Sequence, residues 1–257
     1  MKTDFNLEDK VFIVVGALGR LGKVIVSEIL AQGANVIAVD LRKKRPGTNN
    51  FKYGSKFRYL SGDITSSEFV DEVIDYGIKN YGAINGGINT AYPRNKNFGN
   101  HFLDVTYEDF CENMSLHLGG YFLFMQKCTK YSLESGQKFS LINFSSIYGV
   151  IPPKFDIYKG TEMTVPVEYA AIKSAIQHLS VYTTAYTKGS KFRVNCISPG
   201  GMLDNQDAQF LENYSHYSRS KGMLHPQDIL GAVFFLCSDL SEYVCGQNIV
   251  VDDGFSS

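Results

Sequence analysis

The stretch VVGALGRLG, residues 14–22, determines which fold the rest of the chain can adopt. It starts inside the apolar run VFIVV, which predicts a buried strand, and leads into a segment with helical apolar spacing that ends at Gly33. Its three glycines therefore lie on a turn between a strand and a helix. Gly16 allows the tight turn, Gly19 lets the backbone approach a pyrophosphate, and Gly22 permits close packing of the helix on the strand.

This turn predicts a phosphate-binding site. Amide groups at the start of a helix have no partner within the helix, and the helix dipole favours negative charge there. We therefore expect Arg20 and Leu21, together with the three glycines, to contact the phosphates of a dinucleotide. The glycine spacing alone is a weak signal in a chain with 24 glycines, and its position directly after the first strand strengthens it.

Similar apolar runs recur along the chain and alternate with helix-length segments. Further strands are predicted at 35–40, 57–61, 83–89, 140–144, 192–197 and 248–251. Helices are predicted at 21–32, 67–80, 106–132, 167–186 and 226–238. Continuous apolar strands that alternate with helices indicate an α/β fold, here a Rossmann-type doubly wound parallel sheet of about seven strands with helices on both faces.

No repeat or linker interrupts this alternation, so residues 1–257 are expected to form a single domain. Longer polar loops are predicted at 41–56, 92–102 and 150–166, and an irregular stretch at 199–225. The loops that begin at 92, 150 and 199 leave the carboxyl ends of strands, where the ligands of such sheets bind.

The composition argues against several classes of function. A net charge of −1 and a pI near 6.5 provide no basic surface for nucleic acid or an anionic membrane. The five cysteines are scattered without a CxxC pair, which favours free thiols in a reducing cytoplasm over disulfides or a metal site. The polar N-terminus does not suggest a signal peptide, and the longest apolar run, residues 229–237, is too short to span a bilayer. We expect a cytoplasmic protein with small-molecule ligands.

Asp40 ends the second predicted strand. A carboxylate there accepts hydrogen bonds from the hydroxyls of an adenosine ribose and repels a 2′-phosphate, so it favours NAD over NADP. A solvated aspartate in a turn is the alternative. The basic run at 42–45 could receive a 2′-phosphate, which would favour NADP, or could be a solvated loop. Asp63, Ile64 and Asn89 follow the third and fourth strands, where they would line the adenine side of the cofactor or act as ordinary caps.

Tyr169 and Lys173 stand four residues apart, on one face of the helix predicted at 167–186. A neighbouring ammonium lowers the pKa of a phenol, so this tyrosine could exchange a proton with an alcohol or carbonyl oxygen. The spacing is common by chance in a chain with 16 tyrosines, and it occurs again at 217–221. Only the copy at 169–173 follows a strand that ends in NFSS, where Ser146 could hydrogen-bond the same substrate oxygen.

These features occur in an order that resembles the single-domain branch of the short-chain dehydrogenase/reductase family along nearly the whole chain. The matching stretches are the glycine turn, Asp40, GDIT at 62–65, NTA at 89–91, SSIYG at 145–149, YAAIK at 169–173, SPGG at 198–201 and GQNIVVDDG at 246–254. The resemblance implies that Tyr169 is the general acid/base, that Lys173 binds the nicotinamide ribose and tunes Tyr169, and that Ser146 positions the substrate oxygen. Ser146, and not Ser145, has the family's spacing to Gly149.

The same resemblance implies that Pro199 and Gly200 contact the cofactor. It also implies a homo-dimer or homo-tetramer built through the long helices and the C-terminal segment. Buried packing is then the expected role of Cys128 and Cys237.

Four features depart from the family's pattern. Arg20 stands where the single-domain branch has a glycine, and Tyr92 replaces the glycine of the NNAG stretch, near the cofactor or the mouth of the site. His117 falls where the family has an asparagine that supports a proton relay. It could hold a water and shuttle a proton, or it could simply pack. About ten residues more than usual precede Tyr169, which places an insertion at 150–166 beside the site.

The insertion could shape a substrate pocket or be a surface decoration. Its polar side chains, together with Arg94, suit a polar or anionic substrate: Tyr158, Lys154, Lys159 and Asp156. The whole pattern is similar to bacterial short-chain enzymes of flagellin modification and surface-sugar biosynthesis. That similarity implies oxidation or reduction of a hydroxyl or keto group on a sugar phosphate or nucleotide-activated sugar, with NAD(H). A reductase of another small carbonyl metabolite or acyl-thioester, and a non-catalytic nucleotide-binding scaffold, are the alternatives.

Overall fold

A computed structural model describes residues 5–43 and 51–257 of the chain. The strands are β1 (Val11–Val15), β2 (Asn35–Asp40), β3 (Phe57–Ser61), β4 (Gly86–Asn89), β5 (Phe139–Phe144), β6 (Phe192–Pro199) and β7 (Asn248–Val251). They form one seven-stranded sheet in the order β3-β2-β1-β4-β5-β6-β7, and every neighbouring pair is parallel. Strand order reverses between β1 and β4, which opens a crevice at their carboxyl ends.

Helices cover both faces of this sheet. In the described residues they are α1 (Arg20–Ala31), α2 (Ser67–Tyr81), α3 (Tyr107–Asn113), α4 (Gly119–Ser135), α5 (Val167–Tyr186), α6 (Ala208–Ser215) and α7 (Leu230–Cys237). On one face α1 and α7 bury Ile29 and Val233, and on the other α2 and α4 bury Val73 and Phe124. A sheet buried on both faces has apolar residues throughout its strands, which is why the strands were recognisable and the predicted fold class is confirmed.

The glycines of β4 are required by close packing. A Cβ atom on Gly86 would lie 2.5 Å from the carbonyl oxygen of Ser140 in β5. A Cβ atom on Gly87 would lie 3.1 Å from the ring of Phe124 in α4. Gly86 and Gly87 have a low intrinsic preference for strands, and their lack of a side chain allows β5 and α4 to approach β4.

Two predictions about helices need correction. The segment predicted as one helix at 106–132 consists of α3, a π-helical turn over Met114–Leu118, and α4. The stretch at 199–225, expected to be irregular, contains α6. Phe210 and Tyr214 of α6 are buried in a cluster with Ile157 of the insertion. Local periodicity does not reveal such a partnership between distant segments.

None of the helices in residues 5–43 and 51–257 is long and apolar enough to cross a membrane. Within the same residues, no group of three histidine, cysteine, aspartate or glutamate side chains could hold a metal ion. Cys128 and Cys237 are buried, and burial raises the pKa of both thiols. Both cysteines therefore pack as small apolar residues, as expected.

Candidate active site

A cavity of about 840 Å³ lies at the carboxyl ends of the strands. The predicted site residues that line it are Gly16, Gly19, Arg20, Leu21, Gly22, Asp40, Asp63, Ile64, Tyr169, Lys173, Pro199 and Gly200. Asn89, Ser146 and His117 are buried, and Ser146 hydrogen-bonds the cavity-lining Tyr169. The Oδ1 atom of Asn89 accepts a hydrogen bond from the amide of Ala91 at 3.1 Å. This contact is the capping role that the sequence leaves open for Asn89 beside a role on the adenine side.

The glycine turn leaves room for a ligand at the start of α1. Gly16 has a φ of +76°, and a Cβ atom there would lie 2.9 Å from the amide nitrogen of Ala91. A Cβ atom on Gly22 would lie 2.8 Å from the Cα of Ala17. Gly19 is the N-cap of α1 and has no side chain to satisfy the first amides of the helix. These amides are therefore available to an anion such as a pyrophosphate.

The side chain of Arg20 turns away from this backbone. Its guanidinium donates hydrogen bonds to the carbonyl oxygens of Leu203 at 2.9 Å and Met202 at 3.4 Å, and it forms a salt bridge with Asp204. Arg20, Met202 and Asp204 all line the cavity. An arginine at this position thus joins the phosphate-binding turn to the loop that follows β6.

Asp40 lies at one end of the cavity and is 7% exposed. Its carboxylate accepts hydrogen bonds from the amide of Leu18 at 2.9 Å and from the Arg42 guanidinium at 2.9 and 3.1 Å. Burial raises the pKa of Asp40, but hydrogen bonds from Arg42 and Leu18 outweigh it and hold the pKa below its usual value. Arg42 therefore shares the carboxylate that was predicted to bind a ribose. Lys44 and Arg45 of the basic run lie outside the described residues.

Tyr169 and Lys173 lie near the other end of the cavity, one helical turn apart on α5. Lys173 is 4% exposed, and its Nζ atom donates a hydrogen bond to the carbonyl oxygen of Phe144 at 2.8 Å. Burial lowers the pKa of Lys173 to about 7.

The pKa of Tyr169 differs from the expectation. Burial raises it, and a hydrogen bond with the side chain of Ser146 partly opposes this effect. The Nζ atom of Lys173 lies 5.6 Å from the centre of the Tyr169 ring and is directed to the Phe144 carbonyl. The predicted lowering by Lys173 is therefore absent in this arrangement.

The two neighbouring serines have different surroundings. Ser145 Oγ donates to the carbonyl oxygen of Lys173 at 2.8 Å and accepts from Gln177 Nε2 at 2.8 Å, so it ties β5 to α5. Ser146 Oγ accepts from the amide of Tyr148 at 3.2 Å and hydrogen-bonds Tyr169. Of the two, Ser146 is the serine placed beside the tyrosine hydroxyl, as the sequence spacing predicts.

His117 lies in the π-helical turn between α3 and α4 and is fully buried. Its Nε2 atom is 3.4 Å from Lys173 Nζ, and its ring packs against the rings of Tyr92 and Tyr121 at 5.2 and 5.4 Å. Nδ1 has no hydrogen-bond partner among the described residues. Burial and the neighbouring Lys173 lower the pKa of His117, so the imidazole is neutral. His117 thus packs and contacts the lysine at once.

Tyr92 and Arg94 form part of the cavity wall that sequence reasoning located only roughly. The Tyr92 ring stands edge-on to the Tyr169 ring, with centroids 5.6 Å apart. The guanidinium carbon of Arg94 lies over the Tyr92 ring, 5.0 Å from its centre. The residue that replaces the family's glycine therefore touches the tyrosine of the YxxxK motif.

The insertion at 150–166 packs on α6 and the C-terminal segment. Lys154 Nζ donates to the carbonyl oxygen of Phe255 at 2.8 Å, and Asp156 accepts a hydrogen bond from the Tyr217 hydroxyl. Lys154 and Asp156 therefore tie the insertion to the protein and do not face the cavity, contrary to their predicted use for a polar substrate. Because Tyr217 is engaged by Asp156, the YxxxK copy at 217–221 forms no comparable site.

A second, more open cavity of about 610 Å³ lies between the insertion at 160–163 and the loop at 204–207. Asp204 lines both cavities. The insertion thus stands next to the main cavity without forming its wall.

Comparison with known proteins identifies the family. Residues 16–256 match the family model described as enoyl-(acyl carrier protein) reductase. The chain is 38% identical over 254 residues to the post-translational flagellin modification protein A of Campylobacter coli, which covers 97% of this chain and 99% of that protein. It is 26% identical over 262 residues to a 2,5-dichloro-2,5-cyclohexadiene-1,4-diol dehydrogenase of Sphingobium indicum, covering 98% of this chain and 99% of that one.

Solved structures agree. A short chain dehydrogenase from Leptospira borgpetersenii with bound NAD+ has a TM-score of 0.89 and 33% identity, and the match covers 100% of this chain and 97% of the other. A short-chain type dehydrogenase/reductase from Mycobacterium marinum shares the fold, with a TM-score of 0.84 and 22% identity over 98% of this chain and 96% of the other. The protein belongs to the short-chain dehydrogenase/reductase family of oxidoreductase enzymes.

Proposed function

We propose that this oxidoreductase transfers a hydride between NAD(H) and a hydroxyl or keto group of a small polar substrate. The observation that carries the proposal is the continuity of one cavity from Asp40, past the glycine turn, to Tyr169 and Lys173. A dinucleotide cofactor requires groups in this order: a partner for the adenosine ribose, a site for the pyrophosphate and an acid/base near the reactive ring.

The cavity-lining residues fit NAD. Asp40 would hold the adenosine ribose hydroxyls, with Asp63 and Ile64 beside the adenine. The uncapped start of α1 would hold the pyrophosphate. Near Tyr169, the nicotinamide ribose would meet Lys173, with Pro199 and Gly200 opposite. The bound NAD+ of the Leptospira relative supports this choice. When bound, the cofactor supplies the hydride acceptor or donor.

Tyr169 and Ser146 would hold the oxygen of the reacting group. In reduction the Tyr169 phenol would donate a proton to the carbonyl oxygen. In oxidation the Tyr169 phenolate would accept the proton of the hydroxyl, so the phenol must first lose its own proton. The raised pKa of Tyr169 keeps the phenol protonated before substrate binds. Lys173 Nζ lies 3.4 Å from His117 Nε2, so the ammonium can donate a hydrogen bond to the neutral imidazole. We therefore assign His117 to the place of the family's relay asparagine.

The substrate that we propose is a sugar phosphate or a nucleotide-activated sugar used in surface-glycan or flagellin modification. The 38% identity to a flagellin modification protein over nearly the full length of both chains supports it. Residues 1–257 would act as one domain in the cytoplasm, with the insertion at 150–166 bordering the substrate end.

Self-association through α4 and α5 is also proposed. Large apolar side chains are exposed on these helices, among them Phe122 at 48%, Tyr182 at 65% and Tyr186 at 69%. A second copy of the chain would cover this face, since monomers rarely expose so many aromatic rings along two adjacent helices. A clean monomer mass by light scattering would contradict this part of the proposal.

The test is turnover of a substrate panel. The purified protein is incubated with NAD+ and a series of sugar phosphates and nucleotide sugars, and the appearance of reduced nicotinamide is followed by its absorbance. We expect oxidation of at least one member, and Tyr169→Phe should lower its rate by about 10²-fold or more while still binding NADH. Full activity of Tyr169→Phe, or absence of NADH binding by the wild-type protein, would contradict the proposal.

A further inference from the structure

Among the described residues that line the cavity, one cationic side chain has no ionic partner and hydrogen-bonds only a neutral tyrosine, Tyr92. Four cations line it within the described residues: Arg20, Arg42, Arg94 and Lys173. Arg20 is paired with Asp204, Arg42 is paired with Asp40, and Lys173 is buried against a carbonyl oxygen. In residues 5–43 and 51–257, no carboxylate lies within salt-bridge distance of Arg94. Its positive charge is therefore available to a ligand.

Arg94 lies at the reacting end of the cavity. Its guanidinium contacts the Tyr92 ring, and the Tyr92 ring contacts the Tyr169 ring, so one aromatic side chain separates the cation from the proposed acid/base. The loop that carries Arg94 follows β4, next to β5 and on the opposite side of β1 from β2, which carries Asp40. A substrate whose reacting oxygen lies at Tyr169 could extend past Tyr92 and contact Arg94. The adenosine end of the cofactor would lie near Asp40, on the opposite side of β1.

The backbone beside Arg94 is held by a network of amide side chains. The amide of Asn95 donates to Asn113 Oδ1 at 2.9 Å, and Asn95 Nδ2 donates to Asp109 at 2.7 Å. Asn113 Nδ2 donates in turn to the buried Glu168 at 3.1 Å. Asp109 and Glu168 each accept a hydrogen bond from an asparagine, and the guanidinium of Arg94 contacts Tyr92, through its ring and a side-chain hydrogen bond. A cation on such a fixed loop loses little backbone freedom when it binds an anion.

We propose that Arg94 binds an oxyanion group of the substrate, a phosphate or a carboxylate, while the reacting hydroxyl or keto group lies at Tyr169. A guanidinium is suited to this role because its planar donors match both oxyanions with two parallel hydrogen bonds. This inference rests on the proposed function and narrows its substrate class to molecules that carry a negative charge about one sugar ring from the reacting carbon.

The test is a binding measurement on protein saturated with NADH. Glucose 1-phosphate, glucuronate and glucose are titrated by calorimetry into the wild-type protein and into Arg94→Gln, Arg94→Lys and Lys96→Gln. Lys96 is an exposed cation of the same loop that does not line the cavity, so Lys96→Gln is a control with the same change of net charge. The phosphate and carboxylate probes distinguish the two oxyanions.

We expect at least one anionic probe to bind more tightly than glucose to the wild-type protein. Arg94→Gln should weaken that probe by about 10-fold to 100-fold, Arg94→Lys by less, and Lys96→Gln by no more than about 2-fold. Equal affinity for charged and neutral probes, or equal effects of Arg94→Gln and Lys96→Gln, would overturn the inference. A loss of NADH affinity in Arg94→Gln would also overturn it, because the arginine would then belong to the cofactor. Failure of the wild-type protein to bind NADH would instead contradict the proposed function.

Discussion

Replacing Lys173 with methionine should make the cofactor-free protein more stable while removing its activity. Lys173 is 4% exposed, and its ammonium donates a hydrogen bond to the carbonyl oxygen of Phe144 at 2.8 Å and makes a longer contact of 3.4 Å with Nε2 of His117. That carbonyl also accepts from the hydroxyl of Tyr121 at 3.2 Å, so it keeps a partner in the variant. Methionine has a similar length and no charge to bury.

The magnitude follows from the pKa of the lysine. Burial lowers it from 10.5 to about 7, so between these pH values the unfolded chain binds more protons than the folded protein. The free energy of unfolding of the wild type therefore rises with pH across this window, and the buried ammonium has its full cost below pH 7. At about 1.36 kcal/mol per pH unit, that cost is roughly 5 kcal/mol at most.

The assay is urea unfolding of the wild type and Lys173→Met between pH 6 and about pH 10, at one protein concentration and without cofactor. Burial raises the pKa values of the Cys196 and Cys237 thiols to about 11 and about 12. These thiols act in the opposite direction, because they lower the free energy of unfolding as pH rises above the pKa of an unfolded thiol. They are present in both proteins, so the difference between the two is dominated by Lys173, with a smaller contribution from Cys196 and His117, whose pKa values Lys173 lowers. We expect a difference that is largest below pH 7 and shrinks as pH rises. A constant difference, or a less stable variant, would refute the reasoning.

Three further predictions concern the turn, the relay and the cofactor. Gly22→Ala places a Cβ 2.8 Å from the Cα of Ala17, so it should lower the free energy of unfolding by about 1–3 kcal/mol and weaken NADH binding. Gly231→Ala, at a helical glycine with open space around it, is the control and should change neither quantity. The steady-state rate of His117→Asn should remain within about 10-fold of the wild-type rate, whereas the rate of His117→Leu should fall by about 10²-fold. Equal rates for the two variants would contradict a relay role. In fluorescence titrations Asp40→Asn should weaken the affinity for NADH by about 10-fold and reduce the difference between the affinities for NADH and NADPH. Unchanged affinities would show that Asp40 does not bind the ribose.

The fold was predictable because its information is local. Strands β1, β2 and β5 are largely apolar and buried, and the glycine turn marks where the first strand passes into a helix. The same is true of the Tyr169–Lys173 pair, whose spacing places both side chains on one helical face.

Contacts between distant segments were not predictable in this way. Arg20 hydrogen-bonds Leu203, 183 positions away, and nothing near either residue indicates the pairing. Lys154 has the charge expected of a residue that binds an anionic substrate, yet its side chain hydrogen-bonds the C-terminal segment. The pKa of Tyr169 depends on burial, which the motif does not encode.

We expect the cavity to bind NAD(H) through Asp40 and the glycine turn. The most direct test is titration of the wild-type protein with NADH and, in parallel, with NADPH, followed by the fluorescence of the reduced nicotinamide. The account predicts saturable NADH binding that is tighter than NADPH binding by about 10-fold or more, since a 2′-phosphate would lose the ribose hydrogen bond and face the carboxylate. Tighter NADPH binding would assign Arg42 to the 2′-phosphate and contradict the role given to Asp40. Binding of neither nucleotide would contradict the claim as a whole.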